Sequence, residues 1–351
     1  MHHIVAAMGG CSRGEPVCHS RRVLSRRGLF GLGASLLTAM AARPVCAETK
    51  TVRLGVLQFG TVQWVADVIH RHSFDAKRGV GVSNVMLANT DAGRIALMAG
   101  SADVVVSDWL FAAAQRATGQ KLSFAPFSNA TGGVLVRPDS SIRALPDLAG
   151  RALGVAGGPL DKSWLIVQAA AKQRGVDLAT AAHVVYGAPP LLEAKLRQGE
   201  LDAVLTFWNF AARLEIAGFP EIVSVADCAA ALGLGADLGL VGFAFHEDWA
   251  EADPARIDGF LAAVADAERQ LATDGTEWDA VRPLMDAPDD RLFGNLRQRF
   301  IAGIPHTAAL DEQRAGARLL EVLLRTGGSR ATAGLAALPD GLFWRVPDGR
   351  S

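Results

Sequence analysis

The chain has 351 residues, 50% of them hydrophobic and 20% charged, enough to bury a large core and too apolar for a disordered or collagen-like protein. Thirty-five Lys and Arg against 36 Asp and Glu give a formal charge of -1, so no basic field exists to hold phosphates and no nucleic acid partner is expected. A globular protein of two lobes fits that length.

The first 47 residues depart from this balance. They carry Arg13, Arg21, Arg22, Arg26, Arg27 and Arg43 against one acid, Glu15, so the remainder is mildly acidic. Ser25-Arg26-Arg27-Gly28-Leu29-Phe30 leads into an apolar run over 31–42, followed by Val45-Cys46-Ala47. A charged head, an apolar stretch too short to span ~30 Å of hydrocarbon and small residues at the end describe an export signal. The paired arginines resemble the twin-arginine signal, which carries folded proteins across the bacterial inner membrane; an ordinary secretory signal rich in arginine is the alternative. Cleavage is expected near Ala47, giving a periplasmic chain that begins near Glu48. Cys11, Cys18 and Cys46 then leave with the signal. Cys228 stays as a lone thiol without a nearby His, which reads as a buried structural residue and allows no internal disulfide.

From Thr51 short apolar runs alternate with helix-patterned segments, the mark of a mainly parallel sheet with crossover helices. Strands are predicted at 52–57, 82–87, 103–106, 122–126 and 134–136, and after Arg137-Pro138 at 152–155, 183–185, 203–205 and 221–223. A further strand at 238–245 closes the second series. Asp253-Pro254 then opens a helix whose Ile257, Phe260, Leu261, Val264 and Leu271 share one face. The fold class is α/β, with two lobes, each a mainly parallel sheet flanked by helices, and two hinge crossings near 134–136 and 240–243. The expected division is an export signal over 1–47, lobe 1 over 48–137, lobe 2 over 138–239, the rest of lobe 1 with C-terminal helices packed on it over 240–325, and a tail over 326–351.

Three phrases occur in order: Ile95-Ala96-Leu97-Met98-Ala99-Gly100-Ser101-Ala102-Asp103-Val104, Leu145-Pro146-Asp147-Leu148-Ala149-Gly150-Arg151 and Leu196-Arg197-Gln198-Gly199-Glu200-Leu201-Asp202-Ala203. Over roughly residues 50 to 325 the chain resembles the periplasmic solute-binding proteins of nitrate, sulfonate and taurine type ABC importers, the NMT1/THI5-like group of type II binding proteins. The resemblance implies hinge closure around a small organic solute, aromatic, sulfonate or nitrogen-containing, and delivery to an ABC permease in the inner membrane. It also implies a monomer, no cofactor and no catalysis, since the cysteine-rich motif of the thiamine-precursor synthases is absent. In the first and third phrases a helix ends on a glycine that can turn left-handed, and Asp103 or Asp202 opens the next strand in a structural role.

Ligands of open parallel sheets sit beyond the carboxyl ends of the strands. Those stretches are Gln58-Phe59-Gly60-Thr61 with Trp64, Asn89-Thr90, Ser107-Asp108-Trp109, Ser128-Asn129-Ala130-Thr131, Gly157-Gly158 with Asp161-Lys162-Ser163-Trp164, Tyr186-Gly187 and Thr206-Phe207-Trp208-Asn209. The ligand-binding candidates are Gln58, Phe59, Trp64, Asn89, Thr90, Ser107, Asp108, Trp109, Asn129, Gly157, Asp161, Ser163, Trp164, Phe207, Trp208 and Asn209. Four indoles, at 64, 109, 164 and 208, are expected to converge on the gap and stack on the solute. Free N–H groups at the helix starts favour an anion, while Asp108 and Asp161 cap those helices, repel an anion or grip an amine. His70-Arg71-His72 has the wrong spacing for joint metal binding on a helix. A periplasmic enzyme of related fold and a ligand-sensing accessory protein are the alternatives from other classes.

Overall fold

The computed structural model describes residues 50–235, 239–305 and 309–345; the expected export segment and its cleavage point lie outside them. Strands β1 (Lys50–Leu57), β2 (Val80–Leu87), β3 (Val104–Ser107) and β4 (Leu122–Ser128) alternate with helices α1 (Val62–His72), α2 (Phe74–Lys77), α3 (Thr90–Met98) and α4 (Trp109–Ala117). The chain then passes into a second sheet through β5 (Gly133–Val136), β6 (Ala152–Ala156), β7 (His183–Gly187), β8 (Ala203–Thr206) and β9 (Glu221–Ser224). Between and after these lie α5 (Lys162–Gln173), α6 (Leu178–Ala181), α7 (Pro189–Gln198), α8 (Trp208–Ile216) and α9 (Val225–Ala231). It returns as β10 (Val241–His246) and ends in α10 (Glu247–Ala252), α11 (Pro254–Thr273), α12 (Glu277–Met285), α13 (Asp290–Ala302) and α14 (Ala309–Ala331).

The two five-stranded sheets have matching orders, β2-β1-β3-β10-β4 and β7-β6-β8-β5-β9. In each, one strand runs antiparallel to its neighbours, and it is the one delivered from the other lobe: β10 between β3 and β4, β5 between β8 and β9. The reciprocal exchange is the physical content of two hinge crossings. Strand β5, assigned by the sequence to the end of the first lobe, pairs wholly in the second sheet, so the chain crosses over 129–132. Its four residues are all buried, and a fully buried strand carries no alternation to show which sheet it joins.

Local chemistry agrees with the expected punctuation. Gly100 (φ 68°) and Gly199 (φ 77°) follow α3 and α7 in the left-handed region. Asp103 then accepts from the Arg53 backbone N–H at 2.8 Å, and Asp202 from that of Ala152 at 2.9 Å, so both tie a strand start to its neighbour. Asp253 makes no capping bond at α11; it pairs with Lys50 at 2.7 Å instead. The predicted stripe of α11 is buried, and α11, α12 and α13 cover the first sheet with Trp278, Met285 and Phe300 in one apolar cluster. His70 and His72 find separate partners, the Val82 carbonyl and Glu277. Cys228 is fully buried, and burial pushes its thiol up to about 11.

One expectation about packing changes. Helix α14, taken with the first lobe, lies against α5 of the second, with Leu319, Leu320, Val322 and Leu323 in the same core as Trp164. After it the chain recrosses: the Phe124 N–H donates to the Leu342 carbonyl (2.7 Å) and the Trp344 N–H to the Phe124 carbonyl (2.8 Å), forming a parallel bridge to the edge strand β4. An amphipathic stripe says that a helix must be covered, not by which lobe.

Candidate functional site

A cavity of about 110 Å³ lies where strand ends and helix starts of the two sheets face one another. From the first lobe it takes Leu57, Phe59 to Val62, Thr90, Val106 to Asp108, and the crossover around Ala130 to Gly132 with Val241; from the second, Asp161 to Ser163 and Phe207 to Asn209. The sequence thus delivers five helix N-termini, α1, α3, α4, α5 and α8, to one small volume.

Three of those termini are closed by their own side chains. Asn89 accepts from the Ala92 N–H at 2.8 Å. Asp108, 2% exposed, accepts from the Phe111 N–H at 2.9 Å through Oδ1, and from Arg94 Nη2 at 2.9 Å through Oδ2. Asp161 Oδ1 accepts from the N–H groups of Ser163 (2.9 Å) and Trp164 (3.2 Å), while Lys162 Nζ stands 3.7 Å from Oδ2. Both aspartates border the cavity, yet their oxygens are engaged with backbone and cations. Helices α1 and α8 differ: Thr61 and Phe207 precede them and no side chain caps either one. At α1 the Gln63 and Trp64 N–H groups donate to the Gly60 and Thr61 carbonyls (3.3 and 3.1 Å), yet with no side-chain carboxylate or hydroxyl on them both helix starts turn positive dipole ends from opposite lobes to the same space. Ser107 adds a hydroxyl that is 4% exposed and has no hydrogen-bond partner.

Phe59, Thr90, Ser107, Asp108, Asp161, Ser163, Phe207, Trp208 and Asn209 line this cavity together. The remaining candidates do not. Gln58 and Trp64 border a wider outer groove of about 770 Å³ that shares Phe59, Gly60 and Asn209 with the inner cavity. Asn89 is engaged as a cap, and Asn129 Oδ1 accepts from the Gly239 N–H at 2.9 Å, bracing one crossover against the other. Gly157 (φ 91°) bends the chain next to the Asp161 carboxylate, where a Cβ would make contact at 3.0 Å.

The four indoles do not converge. Trp109 and Trp164 are buried in the interior among aliphatic side chains. Helical side chains lean back towards the N-terminus, so an indole on the sheet side of a first turn covers strands rather than projecting ahead of the helix. Trp64 lies beneath the cleft, edge-on to Trp208 with ring centroids 6.0 Å apart, and its Nε1 donates to the Leu284 carbonyl at 3.3 Å. Only Trp208 reaches the inner cavity. Between inner and outer compartments, Asn209 Nδ2 donates to the Phe59 carbonyl at 3.3 Å and Phe59 meets Phe210 edge-to-face at 5.8 Å, so the lobes touch across the cleft.

Lys162, Gly60, Thr61, Ser128, Ala130 and Thr131 line the cavity without having been singled out, although each falls within a post-strand stretch. Leu57, Val62, Val106, Phe127, Gly132 and Val241 were outside those stretches. They are apolar strand ends, a first helical residue and a crossover glycine, types that read as core or linker.

A family model described as NMT1/THI5 like matches residues 72–274, more than half of the chain. No curated protein matches it. Among solved structures, the alkanesulfonate-binding protein SsuA from Xanthomonas axonopodis pv. citri, bound to MOPS, is similar at a TM-score of 0.66 and 16% identity, covering 85% of this chain and 99% of that one. The periplasmic aliphatic sulphonate binding protein SsuA from Escherichia coli gives 0.60 and 19%, covering 87% and 99%. The periplasmic nitrate-binding protein NrtA from Synechocystis PCC 6803 gives 0.54 and 15%, covering 72% and 70%. At these identities the likeness is one of fold, the two-lobed binding-protein architecture.

Proposed function

The chain belongs to the NMT1/THI5-like family, and from that premise we propose that it is an exported solute-binding protein of an ABC importer, enclosing a small organic anion between its lobes. The observation that carries this reading is the pair of uncapped helix starts, α1 and α8, aimed from opposite lobes at a cavity that also holds the unpaired Ser107 hydroxyl. Helix N-termini favour anions, and a buried hydroxyl without a partner is a cost that a ligand oxygen would relieve. Lys162 supplies a cationic side chain beside them. The two cavity carboxylates are engaged as caps, which argues against their gripping an amine.

Size points the same way. One water needs roughly 10–15 Å³ of such space, so about 110 Å³ suits a compact molecule such as a short sulfonate or carboxylate. Trp208 and Phe59 give it an apolar and aromatic wall. Contacts from both lobes exist together only when the lobes are shut, so a ligand favours closure by its differential affinity for that state. Catalysis finds no support in the lining: the carboxyl group with a raised pKa, Glu221, lies outside it. In this reading the protein acts as a periplasmic monomer that presents its closed form to a membrane permease.

Titration calorimetry with nitrate, short alkanesulfonates, aromatic carboxylates and primary amines tests the proposal. Saturable binding of a sulfonate or carboxylate, with none of the amines, is the expected result; binding confined to amines overturns it. Recovery from the periplasmic fraction of a chain starting near Glu48 checks the export part.

A further inference from the structure

The cleft holds two spaces with a shared wall. The inner cavity of about 110 Å³ and the outer groove of about 770 Å³ have Phe59, Gly60 and Asn209 in common, so these residues form the partition between them. Each lobe supplies one half of it. In the first lobe the turn after β1 fixes Phe59: the Gly60 N–H (2.9 Å) and Gln63 Nε2 (2.6 Å) both donate to the Leu57 carbonyl, and the Gln58 N–H donates to that of Leu87 at 3.1 Å. In the second, Asn209 is the second residue of α8 and 6% exposed, and Phe210 follows it at 7%. The halves meet through the hydrogen bond from Asn209 Nδ2 to the Phe59 carbonyl and the edge-to-face contact of Phe59 with Phe210. Beyond the partition the groove is walled in part by Trp64, Phe210, Ile216, Leu284 and Leu292, apolar surface on which an aliphatic tail could lie.

We propose that this partition limits the length of the ligand, with Asn209 as the residue that sets the limit; the inference rests on the reading that an organic anion sits at the starts of α1 and α8. A tail that outgrows the inner cavity meets the wall shared with the groove. To pass, it must separate Asn209 Nδ2 from the Phe59 carbonyl, and an alkyl chain offers neither a donor nor an acceptor in exchange. The carboxamide, buried at the start of α8, is then left unpaired, a cost that sets itself against the gain from burying the tail. A short anion leaves the bond whole and incurs nothing. Selection therefore comes from a penalty on the longer molecule rather than from better contacts with the shorter one. The same bond and ring contact join the lobes, so a tail threaded between them also works against closure.

Titration calorimetry with linear alkanesulfonates and alkanecarboxylates, from ethane to octane, reads the limit as a ratio of dissociation constants, longest to shortest. For the unsubstituted chain the ratio is at least about tenfold in favour of the short anion. Asn209→Ala removes both the bond and the bulk of the wall, and the ratio falls to about one or reverses as the tail gains the groove. Phe59→Ala takes away the ring contact but keeps the carbonyl, and lowers the ratio less. A variant that merely loosens the fold or the grip on the anion weakens every ligand alike and leaves the ratio where it was; circular dichroism melting confirms that each variant is folded. A ratio near one in the unsubstituted chain, or one that Asn209→Ala leaves unchanged, overturns the length limit while the anion reading stands. Absence of binding by every sulfonate and carboxylate overturns that reading and the limit with it.

Discussion

Helices α4 and α5 start at the cavity with carboxylates turned onto their own backbone, whereas α1 and α8 start there with no side-chain acceptor at all. The contrast separates two uses of the same local feature. Where an aspartate closes a helix start, the dipole is consumed in holding the fold; where nothing closes it, the positive end stays available to an outside anion. The first pair builds the walls and the second pair makes the offer.

Removing a closed start has the largest expected effect. Asp108→Ala deletes the cap of α4 and takes away a partner of Arg94, whose guanidinium is largely shielded; the combined loss is about 3 kcal/mol of unfolding free energy, read from urea denaturation. Next comes closing an open start. Thr61→Asp sets a negative charge at the cavity beside the start of α1, where favourable interaction with the helix dipole keeps the melting temperature about unchanged while anion affinity in calorimetry falls about tenfold, roughly 1.4 kcal/mol. If affinity survives that change, the open starts are not where the anion sits. The smallest effect belongs to Asp161→Ala, which loses a cap at about 1 kcal/mol by the same denaturation measurement, because Asp161 has only a 3.7 Å contact with Lys162 where Asp108 also accepts a 2.9 Å hydrogen bond from Arg94.

Much of the architecture was legible because buried strands in α/β proteins are short apolar runs between turn residues; the strands expected from 52–57 to 221–223 appear within a few residues of their places. Packing partners were not. The stripe on α14 did not reveal α5 as its host, and β5 carried no sign of the sheet it joins. At the site, position after a strand located the right stretches but not the direction of each side chain. Trp109 and Trp208 both occupy the first residue of a helix following a strand, yet one packs inward and the other borders the cavity. That choice depends on how each helix is rolled against its sheet, which no local sequence feature encodes. Capping residues were more readable: Asp108 and Asp161 were expected to cap, to repel an anion or to hold an amine, and both cap while bordering the cavity.

The bridge that residues 342–344 make to β4 also guards the molecule against its own kind. Strand β4 is the outermost member of its sheet, and a bare rim of unpaired N–H and C=O groups is a template for another chain's backbone. By placing Leu342 and Trp344 on the groups of Phe124, residues 342–344 occupy that rim with their own main chain. At that residue the edge is thereby shielded from pairing strand to strand with another copy of the chain.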